Sequence, residues 1–117
     1  MVIRCAYSSN IHSIHTPSTL LPQRMSTMLV IGHRGASGHA LENTLDAFER
    51  CVAPSPTACD GVELDVHTTA DGELVVHHDP ALADGRLLHE LTAAEVAEAR
   101  LKDGSGIPTL AEALVVL

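Results

Sequence analysis

The sequence predicts an α/β fold, in which short buried strands alternate with amphipathic helices. Three apolar runs, at residues 29–31, 62–66 and 74–76, are short and bounded by glycine or Asp-Gly signals, which favours buried strands over helices. Aromatic residues make up 2% of the chain and apolar residues 45%, so Val, Leu, Ala and Ile must build the core. Charged and imidazole side chains lie within or directly after each run. This pattern predicts a functional site.

Composition limits the classes of function. A chain of 117 residues has room for one domain. Its net charge of −8, with 7 Lys and Arg residues, argues against nucleic-acid binding. The three cysteines form no CxxC pair, which favours a reducing cytoplasmic location over a zinc site or disulfide framework. No apolar run reaches the roughly 18 residues that a transmembrane segment needs.

The N-terminal segment is expected to lie outside the folded domain. Residues 1–27 are rich in Ser, Thr, Pro and His and contain no acidic residue, which is typical of a disordered extension. Met25 and Met28 leave open the alternative that translation starts there and that the upstream part is a gene-model artefact. A transit peptide is a further alternative, although only two arginines supply positive charge. The domain is therefore expected at residues 28–117.

The first strand is predicted at residues 28–32, and a helix is predicted after the glycine-containing loop. Asn43 or Thr44 can cap this helix, and Asp46 lies in its first turn, where the helix dipole favours an acid. Residues 53–56 contain two prolines and end the helix. Its core face is predicted from three apolar residues at helical spacing: Leu45, Phe48 and Val52.

The second strand, from near Gly61, places Glu63 and Asp65 on one face because side chains alternate along a strand. Asp71-Gly72 is a two-residue hairpin signal. With this turn Asp65 would face His78, and His77 would pair with Val66 on the opposite, apolar face. Two Thr-x-x-Glu capping boxes then predict a short helix to about residue 101 and a last helix that is still running at the final residue. These boxes are Thr92 to Glu95 and Thr109 to Glu112.

Carboxylates along the second strand suggest a metal site. Glu63 and Asp65, with Glu42 nearby in sequence, offer hard oxygen ligands that suit Mg²⁺ or Ca²⁺ rather than zinc. Two carboxylates on one face repel each other unless a cation or a shared proton compensates them. The alternative is that these acids are solvated or form salt bridges.

His33 and His78 could act as general base and general acid, because imidazole titrates near neutral pH. The planar guanidinium of Arg34 matches phosphate oxygens. Taken singly, each histidine could be structural and the arginine could lie on the surface. The remaining histidines carry no motif and are expected to be structural or solvated: His12, His15, His39, His67, His77 and His89.

Six short motifs together resemble the glycerophosphodiester phosphodiesterase family. They are Gly32-His33-Arg34-Gly35-Ala36, Glu42-Asn43-Thr44, Gly61-Val62-Glu63-Leu64-Asp65-Val66, Thr69-Ala70-Asp71-Gly72, Val75-Val76-His77-His78-Asp79 and Ile107-Pro108-Thr109-Leu110. The resemblance covers about residues 29–114. It implies a TIM barrel and hydrolysis of small-molecule glycerophosphodiesters to an alcohol and glycerol 3-phosphate with a divalent cation.

Carried over by position, the resemblance implies specific roles. His33 and His78 would be the acid/base pair, and Arg34 would contact phosphate. Glu63 and Asp65 would hold the metal, with Glu42 as a ligand or as support for one. Leu41 departs from the family, which usually has proline there.

Length is the larger departure. A TIM barrel needs roughly 250 residues, so this chain would form about the first three strands and lack a later Glu and Lys of the site. An open sheet edge would then favour self-association or marginal stability.

Other interpretations remain. The chain could be a truncated, non-catalytic remnant of the domain, or a related sphingomyelinase D-like or phospholipase C-like phosphodiesterase on the same barrel. A phosphate-binding glycine loop at residues 32–38 is disfavoured, because it lacks the Lys and Ser/Thr of a P-loop.

Overall fold

The computed structural model of the protein describes residues 1–4 and 28–117. This part contains both strands and helices, which confirms the α/β class. The elements in chain order are β1 (Val2–Arg4), β2 (Ile31–His33), α1 (Leu45–Val52), β3 (Gly61–Glu63), β4 (Val66–Thr68), β5 (Leu74–Val76), a 3₁₀ helix (Leu88–Glu90), α2 (Ala93–Glu98) and α3 (Leu110–Val116). Within the described ranges, no helix is long and apolar enough to cross a membrane.

The sheet that positions the site has the strand order β1-β3-β2. β2 and β3 are parallel, with His33 opposite Glu63, and α1 connects them as a crossover helix. Parallel pairing brings the carboxyl ends of both strands to one edge of the sheet. The side chains that follow β2 and β3 therefore lie close together.

β1 corrects the expectation for the N-terminus. Val2–Arg4 pairs antiparallel with β3, and the N-terminal ammonium of Met1 donates a hydrogen bond to the carbonyl oxygen of Leu64 at 2.6 Å. The prediction of a disordered extension is therefore wrong for residues 2–4, because a neighbouring strand supplies hydrogen bonds that local composition does not reveal. Residues 5–27 lie outside the described residues.

The predicted boundaries of α1 are confirmed. Thr44 caps the helix by accepting a hydrogen bond from the backbone of Ala47, and the helix ends at Val52 before the two prolines. The buried face differs slightly from the prediction, because Leu45 and Val52 are only half-buried. The fully buried residues of α1 are Ala47, Phe48 and Cys51.

The β4-β5 hairpin has a different register from the predicted one. Val66 pairs with Val76, which places Asp65 opposite His77, and the backbone N–H of His77 donates to the carbonyl oxygen of Asp65 at 3.0 Å. The predicted pairing of Asp65 with His78 is therefore wrong. A two-residue type I′ turn needs positive φ at both central residues, but in this turn only Gly72 has it, at 87°. The loop consequently contains three residues, 70–72.

Both predicted capping boxes are present, at Thr92 and at Thr109. α2 ends at Glu98, slightly before the predicted end, and α3 packs against α1 and β5. Two apolar clusters form the core. The first includes Phe48, Cys51, Val62, Leu64, Val76 and Ala113, and the second includes Val75, Leu82, Leu88, Leu91, Val96 and Ile107.

Candidate active site

The loop after β2 turns sharply at two residues with left-handed backbone conformation. Arg34 has φ 58° and Gly35 has φ 82°. This turn directs the backbone N–H of Arg34 to Oε2 of Glu63 at 3.2 Å. The next residue, Ala36, donates a backbone hydrogen bond to Ala47 in α1 at 2.9 Å. The loop is thus attached to both β3 and α1.

The guanidinium of Arg34 lies among carboxylates. Its Nη1 donates to Oε1 of Glu42 at 2.9 Å, and its Nε lies 3.2 Å from Oδ2 of Asp65. The second contact is an ion pair by distance, although the N–H direction does not form a hydrogen bond. Arg34 is 19% exposed, so the interpretation as a surface arginine is wrong. Glu63 lies 3.9 Å from a second cationic group, the N-terminal ammonium of Met1. Two cationic groups beside three carboxylates leave one negative charge in excess, which favours a cation.

The two candidate acid/base histidines are both solvent-accessible. His33 is 70% exposed, and its Nε2 lies 3.9 Å from Oε2 of Glu63. Nδ1 of His78 lies 2.8 Å from Oδ1 of Asp79. Within the described ranges, His78 makes no hydrogen bond or ion pair with the other candidates. The structure therefore joins five of the six predicted residues in one network: His33, Arg34, Glu42, Glu63 and Asp65.

Three residues near the site were not predicted as members of it. Asn43 is buried and forms two hydrogen bonds with Asp65. Nε2 of His67 lies 3.1 Å from the carbonyl oxygen of His78, and Asp79 contacts the His78 ring. In the sequence, Asn43 stands between a candidate ligand and a helix cap, and that position is the signal that could have identified it.

A cleft of about 1030 Å³ lies beside this network. Glu42 lines it and is the single predicted site residue that does so; His77 and Asp79 line it from the hairpin. The side chain of His77 is half-buried, and this burial lowers the pKa of its imidazole. Asp79 opposes the shift, whereas His67 and His78 add to it.

Acid is expected to destabilise the protein through His77. In the unfolded chain this imidazole binds a proton near pH 6.5, whereas in the folded chain it binds the proton only at a lower pH. The free energy of unfolding therefore falls as pH drops from about 6.5 through the lower folded-state pKa. Urea unfolding between pH 7 and 5 should therefore show a shallower loss of stability in His77→Gln than in the wild type. The exposed His89→Gln is the control and should keep the wild-type slope; equal slopes for all three proteins would contradict the prediction.

A divalent cation is implied by the sequence motifs, and the donor chemistry suits one. Among the described residues, no three His, Cys, Asp or Glu side chains are gathered as a complete metal site. Mg²⁺, however, usually keeps several waters and binds through one or two carboxylates together with substrate phosphate. Glu63 and Asp65 are one-quarter to one-third exposed and meet this requirement.

Comparison with known proteins identifies a matching family and several relatives. The sequence model of the "Glycerophosphoryl diester phosphodiesterase family" matches residues 33–116. The chain is 53% identical over 51 residues to a glycerophosphodiester phosphodiesterase of Caldanaerobacter subterraneus, covering 44% of this chain and 20% of that protein. It is 43% identical over 67 residues to a lysophospholipase D of Homo sapiens, covering 55% and 20%.

Solved structures agree. A glycerophosphodiester phosphodiesterase from Thermotoga maritima superposes with a TM-score of 0.65 at 36% identity, covering 80% of this chain and 41% of that one. An Oleispira antarctica phosphodiesterase, solved in complex with the product sn-glycerol-3-phosphate, has a TM-score of 0.60 at 36% identity and covers 76% and 39%. The chain therefore spans about two-fifths of these structures and about one-fifth of the curated relatives.

Proposed function

Because this chain belongs to the glycerophosphoryl diester phosphodiesterase family, we propose that it hydrolyses glycerophosphodiesters to an alcohol and glycerol 3-phosphate. The observation that carries the proposal is the network at the carboxyl ends of β2 and β3. There Arg34 contacts Glu42, Glu63 and Asp65, and His33 lies next to Glu63. In barrel enzymes of this α/β type, active sites lie at the carboxyl ends of the strands.

Each residue has a role that its chemistry supports. Arg34 binds the substrate phosphate through its guanidinium. His33 and His78 act as the acid/base pair, and both are exposed enough to exchange protons with substrate. The proposed ligands of Mg²⁺ or Ca²⁺ are Glu63 and Asp65, with Glu42 as a further ligand or as support. When bound, such an ion neutralises phosphoryl charge and activates a nucleophile.

The same family membership supports a partial TIM barrel. We propose that β2, β3 and β5 correspond to about the first three strands of a (β/α)₈ barrel. The parallel β2-α1-β3 unit supports this assignment.

The test is release of glycerol 3-phosphate from glycerophosphocholine by the purified 117-residue chain. We expect turnover with Mg²⁺ or Ca²⁺, loss of turnover with chelator, and a decrease of roughly 10²- to 10⁴-fold in His33→Ala and His78→Ala. His89→Ala is the matched control, because His89 is exposed and outside the network. Folded protein without metal-dependent turnover would contradict enzymatic activity of this chain by itself. Stronger turnover of sphingomyelin or phosphoinositides would favour a related phosphodiesterase.

A second candidate is a non-catalytic chain that associates with copies of itself. β2 lies at an edge of the described sheet, and the apolar residues before it are exposed: Met28 at 88%, Leu29 at 48% and Val30 at 53%. Unpaired edges and apolar patches favour association. Sedimentation of the wild type, measured beside the activity assay, separates the two, because an inactive oligomer would support the second candidate.

A cytoplasmic location remains a prediction from the cysteine pattern.

A further inference from the structure

Asn43 connects the loop before α1 to the segment that follows β3. It is only 2% exposed. Its Nδ2 donates to Oδ2 of Asp65 at 3.0 Å, and its Oδ1 accepts from the backbone N–H of Asp65 at 3.3 Å. Both polar groups of the buried Asn43 amide therefore form hydrogen bonds with a single residue, Asp65.

The chemistry of the partners determines the orientation of this amide. A backbone N–H can only donate, so the carbonyl oxygen of Asn43 must face it, and an ionised carboxylate can only accept, so the amino group must face Asp65. An aspartate at this position would place two carboxylates in contact, and an aliphatic side chain would leave both partners unpaired. An amide satisfies both partners of the contact.

The backbone of Asn43 is also specialised. Its φ is 57°, in the left-handed region that asparagine tolerates better than most side chains do. Its N–H donates to the carbonyl oxygen of Arg34 at 3.0 Å. Asn43 therefore contacts the two residues, Arg34 and Asp65, that form an ion pair with each other.

We propose that Asn43 is a positioning residue that orients the carboxylate of Asp65 for a divalent cation; this inference rests on the proposed function. Nδ2 of Asn43 and Nε of Arg34 both lie close to Oδ2 of Asp65, at 3.0 Å and 3.2 Å. In the described part of the chain, Oδ1 of Asp65 accepts no hydrogen bond, so it is available to a cation. Residues that orient metal ligands commonly change metal affinity by roughly 10- to 100-fold when they are replaced.

Two variants distinguish the contribution of the Asn43 side-chain amide from that of its left-handed backbone conformation. Asn43→Gly keeps the left-handed backbone without strain and removes the amide. Asn43→Asp keeps the oxygen that accepts from the backbone of Asp65 but replaces the donor with a second carboxylate oxygen. Thr69→Val is the control, because Thr69 is another buried polar residue whose hydrogen bonds lie in the hairpin turn.

The first measurement is Mg²⁺ binding by calorimetry, with amide hydrogen exchange at Asp65 beside it. We expect both Asn43 variants to bind Mg²⁺ about tenfold more weakly or worse, and Asn43→Gly to exchange the Asp65 amide faster. Thr69→Val should bind Mg²⁺ as the wild type does. Saturating Mg²⁺ should restore most of the lost kcat of Asn43→Gly, which a general loss of folding would not allow.

The outcomes are distinct. Wild-type Mg²⁺ affinity in a folded Asn43→Gly protein would overturn the positioning role, as would unchanged exchange at Asp65. A wild type that binds Mg²⁺ without turnover would overturn the proposed activity alone. A wild type that neither binds Mg²⁺ nor turns over substrate would overturn both.

Discussion

Replacing Gly35 with alanine is expected to lower the free energy of unfolding by roughly 2–5 kcal/mol, through backbone strain and overpacking together. Gly35 has φ 82°, which side chains other than glycine rarely adopt. An added Cβ would lie 2.8 Å from the backbone carbon and the Cβ of Ala47. The loop cannot retreat easily, because Ala36 is hydrogen-bonded to the carbonyl oxygen of Ala47.

Two other glycines separate strain from packing in this experiment. Gly85 has φ 89° with nothing near its added Cβ, so Gly85→Ala should show the strain alone, about 1–2 kcal/mol. Gly38→Ala meets no atom and has no positive φ, so its stability should stay close to the wild type. Urea unfolding monitored by circular dichroism gives the three values. If Gly35→Ala lost no more stability than Gly85→Ala, close packing between the loop and α1 would be refuted.

Features that depend on neighbouring residues in sequence could be predicted. The caps at Thr44, Thr92 and Thr109 are hydrogen bonds between a side chain and a backbone group three residues later. The capping residue and its partner are thus both visible in a short stretch of sequence. The same is true of the helix end at Val52, where two prolines follow.

Features that depend on distant partners, or on one dihedral angle, could not be predicted. β1 forms because β3 offers an unpaired edge about 60 residues away in sequence. The hairpin register depends on whether Asp71 and Gly72 both adopt positive φ or Gly72 alone does. The dipeptide Asp-Gly is compatible with either conformation. A difference of one residue in the loop then changed which histidine lies opposite Asp65.

The sequence motifs named candidate site residues but not the contacts between them. The motifs identified Arg34, Glu63 and Asp65 and assigned the first to phosphate and the other two to metal. Nothing in the sequence shows that Arg34 also forms an ion pair with Asp65 and a backbone hydrogen bond with Glu63, because these contacts require β2 and β3 to be neighbours. For the same reason Asn43 was considered only as a helix cap.

Replacing Arg34 with methionine is expected to have the second large effect. It removes the positive charge beside Glu42 and Asp65 and leaves these two partly exposed carboxylates without an ion-pair partner. We expect a loss of about 1–3 kcal/mol in the free energy of unfolding. The contribution of Glu42 to this loss is small, because its side chain is 43% exposed and solvent screens the pair.

Repulsion among the carboxylates should make the stability of Arg34→Met sensitive to salt and to Mg²⁺. Added salt should restore part of the stability of Arg34→Met, because ions screen like charges. Mg²⁺ should raise the thermal midpoint of this variant more than that of the wild type, because a cation replaces the missing charge. Glycerol 3-phosphate release should nevertheless fall by roughly 10- to 100-fold, since Mg²⁺ does not replace the guanidinium contact with substrate phosphate.

Arg50→Ala is the matched control, because Arg50 pairs with Asp46 on the exposed surface of α1. An exposed pair at this helical spacing contributes about 0.3–0.5 kcal/mol, so this variant should lose little stability and respond to Mg²⁺ as the wild type does. Arg34→Lys should lie between the two, because lysine keeps the charge but cannot contact two oxygens with a planar fork. If Arg34→Met and Arg50→Ala were equally stable and responded equally to salt and Mg²⁺, the carboxylates around Arg34 would be fully solvated. The network could then not concentrate the negative charge that a cation site requires.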